Sequence, residues 1–160
     1  MRTIHETNQL RNEKEISMPS ITGSFSGRIT KQSAIDLTDQ PNHNLSIGEV
    51  AGTQKSPDPL WNDASITYWG VTELLDGAGT QRGYYNNVHG DKGRDWGTFE
   101  GQVTTAGGGM TVEGTWKITG GDGEFRGVTG SGTFKTIAKS ETELEATWAG
   151  NYELARAQAG

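Results

Sequence analysis

The chain has no cysteine, which excludes disulfide cross-links and thiol chemistry. Only four of its 160 residues are proline, and only 31% are hydrophobic. No apolar run approaches the roughly 18 residues of a membrane-spanning helix. Basic residues are outnumbered: 14 Lys and Arg stand against 20 Asp and Glu, giving a net charge of −6. That balance leaves no electrostatic footprint for nucleic acid, and no basic amphipathic stretch suggests membrane attachment. The three histidines, His5, His43 and His89, lie far apart without metal-ligand spacing. No Gly-rich run ends in Gly-Lys-Ser/Thr, and no Gly-x-Ser-x-Gly elbow occurs. Neither a metal nor another cofactor is therefore expected. Residues 1–17 lack an apolar signal-peptide core, so the expected location is cytoplasmic.

Glycine is what the chain has in excess, at 24 residues, about twice the roughly 7% average. Glycine at this density with few hydrophobic residues points to a turn-rich β protein whose strands each bury one face. Five Trp, four Tyr and four Phe supply most of the buried area. Glycine is densest at residues 120–134, where Gly120, Gly121, Gly123, Gly127, Gly130 and Gly132 surround Phe125, Val128 and Phe134. Such a run suits a tight corner between strands, where positive φ and close backbone approach are needed.

Residues 1–17 read as a flexible polar arm and 18–160 as one β-barrel domain. Strands are expected over 21–31, 45–51, 65–75, 81–89, 94–104, 110–118, 132–138 and 142–154. Residues 53–63, with Pro57, Pro59 and Trp61, read as a long loop: either the rim of a binding site or a connection pinned by Trp61. About eight strands in meander order predict an all-β antiparallel barrel.

Turn lengths set the faces. A four-residue loop at 106–109 pairs Val103 with Val112, Phe99 with Trp116 and Gly97 with Ile118, putting both apolar sets on one face. A three-residue loop at 139–141 pairs Phe134 with Ala146 and Gly132 with Trp148, with Tyr152 continuing inward. A four-residue loop at 90–93 turns Arg82, Tyr84, Asn86 and Val88 inward opposite Gly101, Phe99, Gly97 and Asp95. One residue more or less turns Tyr85, Asn87 and His89 inward instead. Under the four-residue loop, Arg82, Tyr84, Asn86 and Asp95 form a polar cluster on an otherwise apolar face. Such a cluster is costly unless its members bond one another, water or a ligand.

The glycine corner, Trp116-Lys117-Ile118, the segment Asn87 to Gly93, and the closing Trp148-Ala149-Gly150-Asn151-Tyr152 together resemble the small barrels of the allene oxide cyclase-like and dirigent-like group. The resemblance spans roughly residues 65–155. It implies a calycin-like barrel holding an apolar ligand, and assembly into a homo-oligomer, to which outward aromatics such as Trp96 also point. Members of that group include cyclases, isomerases and proteins that steer radical coupling.

These readings converge on a cofactor-independent isomerase, cyclase or lyase for a hydrophobic or aromatic small molecule. Tyr84, Asp95 and Arg82 are the candidate catalytic residues. Asn86, Val88, Phe99, Trp116, Phe134, Trp148 and Tyr152 are the candidate ligand wall. His89, at a strand end near Asp95, is the one histidine placed for proton transfer; its other reading is a surface residue at a turn. The alternatives to an enzyme are a lipocalin-like binder and a structural module with a filled barrel.

Overall fold

The computed structural model describes residues 20–107 and 109–155. The arm expected over residues 1–17 lies outside them. Eight strands follow one another: β1 (Ser20–Asp36), β2 (His43–Lys55), β3 (Ser65–Leu75), β4 (Ala78–Val88), β5 (Arg94–Ala106), β6 (Gly109–Gly121), β7 (Thr129–Ala138) and β8 (Glu143–Glu153). Each pairs antiparallel with its sequence neighbour, and β1 pairs with β8, so the sheet closes into a barrel with no free edge. The expected fold class is the observed one. Among the described residues the helical content is one 3-10 turn, Gly123–Phe125, and no helix is long and apolar enough to cross a membrane.

The β5–β6 hairpin has the expected register: Val103 faces Val112, Phe99 faces Trp116 and Gly97 faces Ile118. The β7–β8 hairpin is shifted by two residues from expectation, with Phe134 opposite Trp148 and Gly132 opposite Gly150. A two-residue slip leaves every side chain on its own face, so Leu144, Ala146 and Tyr152 still point inward and are buried. The β4–β5 hairpin differs in kind. Val88 pairs with Arg94 and Asn87 with Asp95, leaving a five-residue loop at 89–93. That one extra residue reverses β4 relative to the four-residue reading.

Inside the barrel, large rings lie over glycines of neighbouring strands. A Cβ at Gly132 would sit 2.6 Å from the Trp116 ring, and one at Gly97 would sit 2.6 Å from the Tyr85 hydroxyl. The glycine excess and the aromatic content are thus one feature: an eight-stranded barrel is narrow, and a ring fits where the opposing strand has no side chain. Trp96 follows the same rule on the outside. It lies over Gly120 and against the Arg94 guanidinium, 5.4 Å from its ring centroid, and is half-buried.

One end of the barrel is capped by two loops. The glycine corner turns at Gly123 (φ 60°) and Gly127 (φ 77°), conformations that a Cβ disfavours. It delivers Phe125 and Val128, 0% and 3% exposed, to the barrel end. Opposite it, loop 56–64 inserts Trp61, only 4% exposed. Trp61 meets His89, Phe125, Trp148 and Tyr152 edge to face at centroid distances of 4.7, 5.6, 6.2 and 5.4 Å. The Tyr152 hydroxyl donates to Asp58 Oδ2 at 2.7 Å, and Ser56 Oγ donates to the Thr22 carbonyl at 2.6 Å. Of the two readings of this loop, the pinning by Trp61 is what the structure displays, and it forms the end wall of the interior as well.

At the opposite end, His43 joins loop 37–42 to β3. Its Nδ1 lies 2.7 Å from Asp39 Oδ1 and its Nε2 lies 3.0 Å from Glu73 Oε2. The hydrogen bond to Asp39 first, then that to Glu73, raises the His43 pKa; the hydrogen bond from His43 lowers that of Asp39. A raised histidine stabilises the fold fully below its unfolded value, about 6.5, and loses that contribution as pH rises through the folded value. Thermal stability is therefore expected to decline as pH climbs from about 6.5 through the folded pKa of His43. In His43→Gln this decline should be absent. Melting curves across that range check it, and an identical decline in the variant would refute it.

Candidate functional site

The barrel interior is not filled. A cavity of about 80 Å³ remains, lined by apolar and aromatic side chains that include Phe25, Tyr68, Phe99, Trp116, Phe134 and Trp148. This is several times the roughly 10–15 Å³ that admits one water. The polar part of the wall comes from Gln54, Gln81, Tyr85, Asn87, Asp95 and Thr136. Trp61 lines the capped end.

Gln54, Asn87 and Asp95 belong to one chain of hydrogen bonds whose direction is fixed at its start. The Trp148 indole N–H can only donate, and it donates to Gln54 Oε1 at 2.8 Å. Gln54 Nε2 then donates to Asn87 Oδ1 at 3.2 Å, and Asn87 Nδ2 to Asp95 Oδ2 at 3.3 Å. Asp95 is 0% exposed, and its other oxygen, Oδ1, lies 2.5 Å from His89 Nε2. His89 is 5% exposed and stacks on Phe125 at 3.9 Å between centroids. Its second nitrogen, Nδ1, is 3.1 Å from the Leu60 carbonyl oxygen.

A carbonyl oxygen only accepts, so His89 Nδ1 carries a hydrogen. The short contact between Nε2 and Asp95 then holds one further proton, written either as imidazolium and carboxylate or as imidazole and carboxylic acid. Both forms are neutral overall, which is what an apolar surrounding permits. Burial pushes the Asp95 carboxyl up; the hydrogen bond and charge of His89 and the amide of Asn87 pull it back. A carboxyl raised by desolvation, tied to a base and open to a cavity is suited to give and take a proton.

Tyr85 completes the wall. It is 8% exposed, and its hydroxyl has no hydrogen-bond partner among the described residues. Burial first, then the charge of Asp95, pushes its pKa up, so it stays a protonated donor. Tyr68 is raised by burial as well. Farther along the barrel, Gln81 Nε2 donates to Thr72 Oγ1 at 2.8 Å. Among the described residues no group of three or more His, Asp or Glu could hold a metal.

Of the residues expected at the site, the structure brings together Asp95, Phe99, Trp116, Phe134 and Trp148. Arg82, Tyr84, Asn86 and Val88 are on the outer face, because the five-residue loop reverses β4. Tyr84 is 66% exposed, and Arg82 sits between Val71 and Glu100 on neighbouring strands. Tyr152 is inward but belongs to the cap, bonded to Asp58, and does not line the cavity. Tyr85, Asn87 and His89 take the places of Tyr84, Asn86 and Val88. Gln54 was missed because β2 runs on to Lys55 where a loop was expected; the alternation Val50, Gly52, Gln54 was the available signal.

No protein-family model matches the chain, and no curated protein matches it. Among solved structures, the chain is similar to a protein of unknown function from the DUF3224 family of Shewanella oneidensis MR-1, at 14% identity and a TM-score of 0.48 over 86% of this chain and 98% of that one.

Proposed function

We propose that the protein is a cofactor-independent enzyme of the isomerase, cyclase or lyase kind. Its substrate is a hydrophobic or aromatic small molecule held inside the barrel. The observation that carries this reading is the Asp95–His89 pair, which keeps one proton at the wall of an apolar cavity. Asp95 touches the cavity and is the acid–base group. It takes a proton from a C–H bond whose electron pair enters the substrate's π system, and returns it at the same or a neighbouring carbon. No redox partner is needed. His89 acts through Asp95 as a positioning residue, anchored by Leu60. The aromatic walls hold one conformer of the substrate, which lowers the entropic part of the barrier. The resemblance to allene oxide cyclase-like and dirigent-like barrels supports the reading at the level of fold alone.

Transfer of solvent deuterium tests it. In D2O, wild-type protein is expected to place deuterium at an activated C–H position of an apolar ligand, and Asp95→Asn is expected to slow this by 10²-fold or more, within the usual range for general acid–base catalysis. Ligands that bind both proteins and emerge unexchanged and unchanged would leave the barrel a lipocalin-like carrier, a reading that its mostly apolar wall also accommodates.

We infer further that the chain forms a homodimer. Trp96 does not supply the contact, since it is covered by Arg94 and Gly120. Of the eight exposed large apolar side chains among the described residues, Ile137 stands on β7 and the other seven, Ile35, Leu45, Ile47, Trp69, Val71, Leu75 and Tyr84, are set on the outer faces of β1–β4, where Ile35 pairs with Leu45, Ile47 with Val71 and Trp69 with Tyr84. Tyr84 alone leaves on the order of 100 Å² uncovered at 66% exposure. With its other members between 37% and 63% exposed, the patch amounts to several hundred Å², at the upper end of what a monomer leaves wet and the size that marks an interaction surface. Sedimentation is expected to give about twice 17.2 kDa, reverting to the monomer in Ile47→Lys. A wild-type monomer at micromolar concentration would refute the dimer.

A further inference from the structure

The proton-transfer reading leaves the polar end of the substrate unassigned. We propose that the cavity takes a neutral carbonyl compound, with its carbonyl oxygen on the Tyr85 hydroxyl and the adjacent carbon facing Asp95. The substrate class so named rests on the acid–base role of Asp95; the assignment of Tyr85 stands on its own geometry.

The members of the hydrogen-bonded network in the wall already have their partners. The Trp148 indole, the Gln54 and Asn87 amides, and the His89 imidazole all donate within the wall or to Leu60. Two buried side-chain polar atoms have no partner among the described residues. One is the Trp61 indole nitrogen, which lies beside the Tyr152 hydroxyl in the cap. The other is Tyr85 Oη, and Tyr85 is one of the side chains that line the cavity. A buried hydroxyl without a partner loses its hydration with nothing in return, so a ligand acceptor is the group that completes it.

The register places that acceptor relative to Asp95. Tyr85 faces Gly97 and Asn87 faces Asp95, on adjacent inward positions of β4 and β5. With no side chain at Gly97, the Tyr85 hydroxyl extends across that strand, one inward position along from Asp95. The site thus places a buried, unpartnered donor on the strand position next to one base. An oxygen acceptor doubly bonded to a carbon whose neighbour carries an acidic C–H matches it. As Asp95 removes that proton, the electron pair forms a C=C bond while the C=O π pair moves onto oxygen, where the Tyr85 O–H stabilises the growing charge. The proton then returns to carbon and the carbonyl re-forms.

Charge narrows the class further. No Lys or Arg lines the cavity, so a carboxylate ligand would bring a negative charge that nothing in the wall offsets. The proton shared with His89 already neutralises Asp95, so a cationic ligand would leave a net charge in an apolar space. A neutral acceptor is what remains, and the cavity volume favours a compact one.

Cyclohexanone and methylenecyclohexane differ only in C=O against C=CH2 and serve as the probes. Wild-type protein is expected to bind cyclohexanone about tenfold or more tightly than methylenecyclohexane, as one buried hydrogen bond provides. The carbonyl stretch of the bound ketone should move to lower frequency. Tyr85→Phe should bind the two equally with no such shift, and its melting temperature should not fall, since the hydroxyl it removes has no partner. Equal wild-type affinities, no binding of either probe, or a preference that survives Tyr85→Phe would each overturn the assignment. Deuterium exchange by the wild-type protein, set beside its ketone preference, separates the two readings. If the ketone preference persists while deuterium exchange fails even in wild type, Tyr85 stands and the acid–base role falls. If exchange proceeds without any ketone preference, the reverse holds.

Discussion

Trp61→Ala is expected to cost about 3–5 kcal/mol, the range for truncating a buried tryptophan, and to lower the melting temperature by roughly 10 °C or more in a chain of this size. The indole is 4% exposed and touches four other rings from three separate segments. Its removal opens the capped end and strips His89 and Phe125 of their neighbour at once. The loop's other ties, among them Tyr152 to Asp58, Ser56 to Thr22 and His89 to the Leu60 carbonyl, are single hydrogen bonds and cannot replace a ring of this size. Denaturant unfolding of the variant measures the loss. A cost below about 1 kcal/mol would mean that loop 56–64 rests on the barrel without sealing it. Because Trp61 also lines the cavity, an enlarged cavity should admit bulkier apolar probes than wild type does.

The second large effect separates two substitutions at one residue. Asp95→Ala removes one half of a buried pair and is expected to cost about 3–5 kcal/mol, because His89 then keeps an uncompensated nitrogen or charge in an apolar setting. Asp95→Asn should cost far less, about 1 kcal/mol, the scale of one hydrogen bond. With Nδ1–H fixed on the Leu60 carbonyl, a neutral His89 has Nε2 free to accept, and the asparagine amide can donate to it while its oxygen still receives Asn87. The variant folds but has no proton to exchange. Equal destabilisation by Ala and Asn would show that the pair is held as an ion pair whose charge the fold requires. A nearly neutral Asp95→Ala would show that the network does not contribute to stability.

Period and turn chemistry made much of the fold legible. The matching apolar faces at the β5–β6 hairpin fixed that register without any tertiary information, and the same alternation put Leu144, Ala146 and Tyr152 inside although the β7–β8 loop was misjudged by two residues. An error of an even number is harmless to face assignment, since side chains alternate with period two. An error of one is not. The loop after β4 contains glycines at both Gly90 (φ 59°) and Gly93 (φ 127°), and either a four- or a five-residue turn suits that composition. The choice fell to contacts that sequence does not display: the Glu124 amide bonds the Lys92 carbonyl, and Arg94 bonds Asp122 through backbone and guanidinium, the latter at 2.6 Å. These ties to the glycine corner hold the five-residue form. With it, Tyr84, Asn86 and Arg82 turn to the outside, and Tyr85, Asn87 and His89 turn in.

By itself, then, the amino-acid sequence determined an antiparallel β-barrel with ring-lined walls, because alternation, glycine turns and aromatic spacing are local properties of the chain. It also determined that Asp95, Phe99, Trp116, Phe134 and Trp148 share one face. Only the tertiary structure decided that Gln54, Asn87, Asp95 and His89 join into one network and that Trp61 closes the end above it. Those groups come from β2, loop 56–64, β4 and β5, and the partners in Gln54–Asn87, Leu60–His89 and Gln54–Trp148 are separated by 33, 29 and 94 residues. Contacts at such separations exist only once the barrel has closed, and the burial that raises Asp95 and leaves Tyr85 unpaired arises from that same closure.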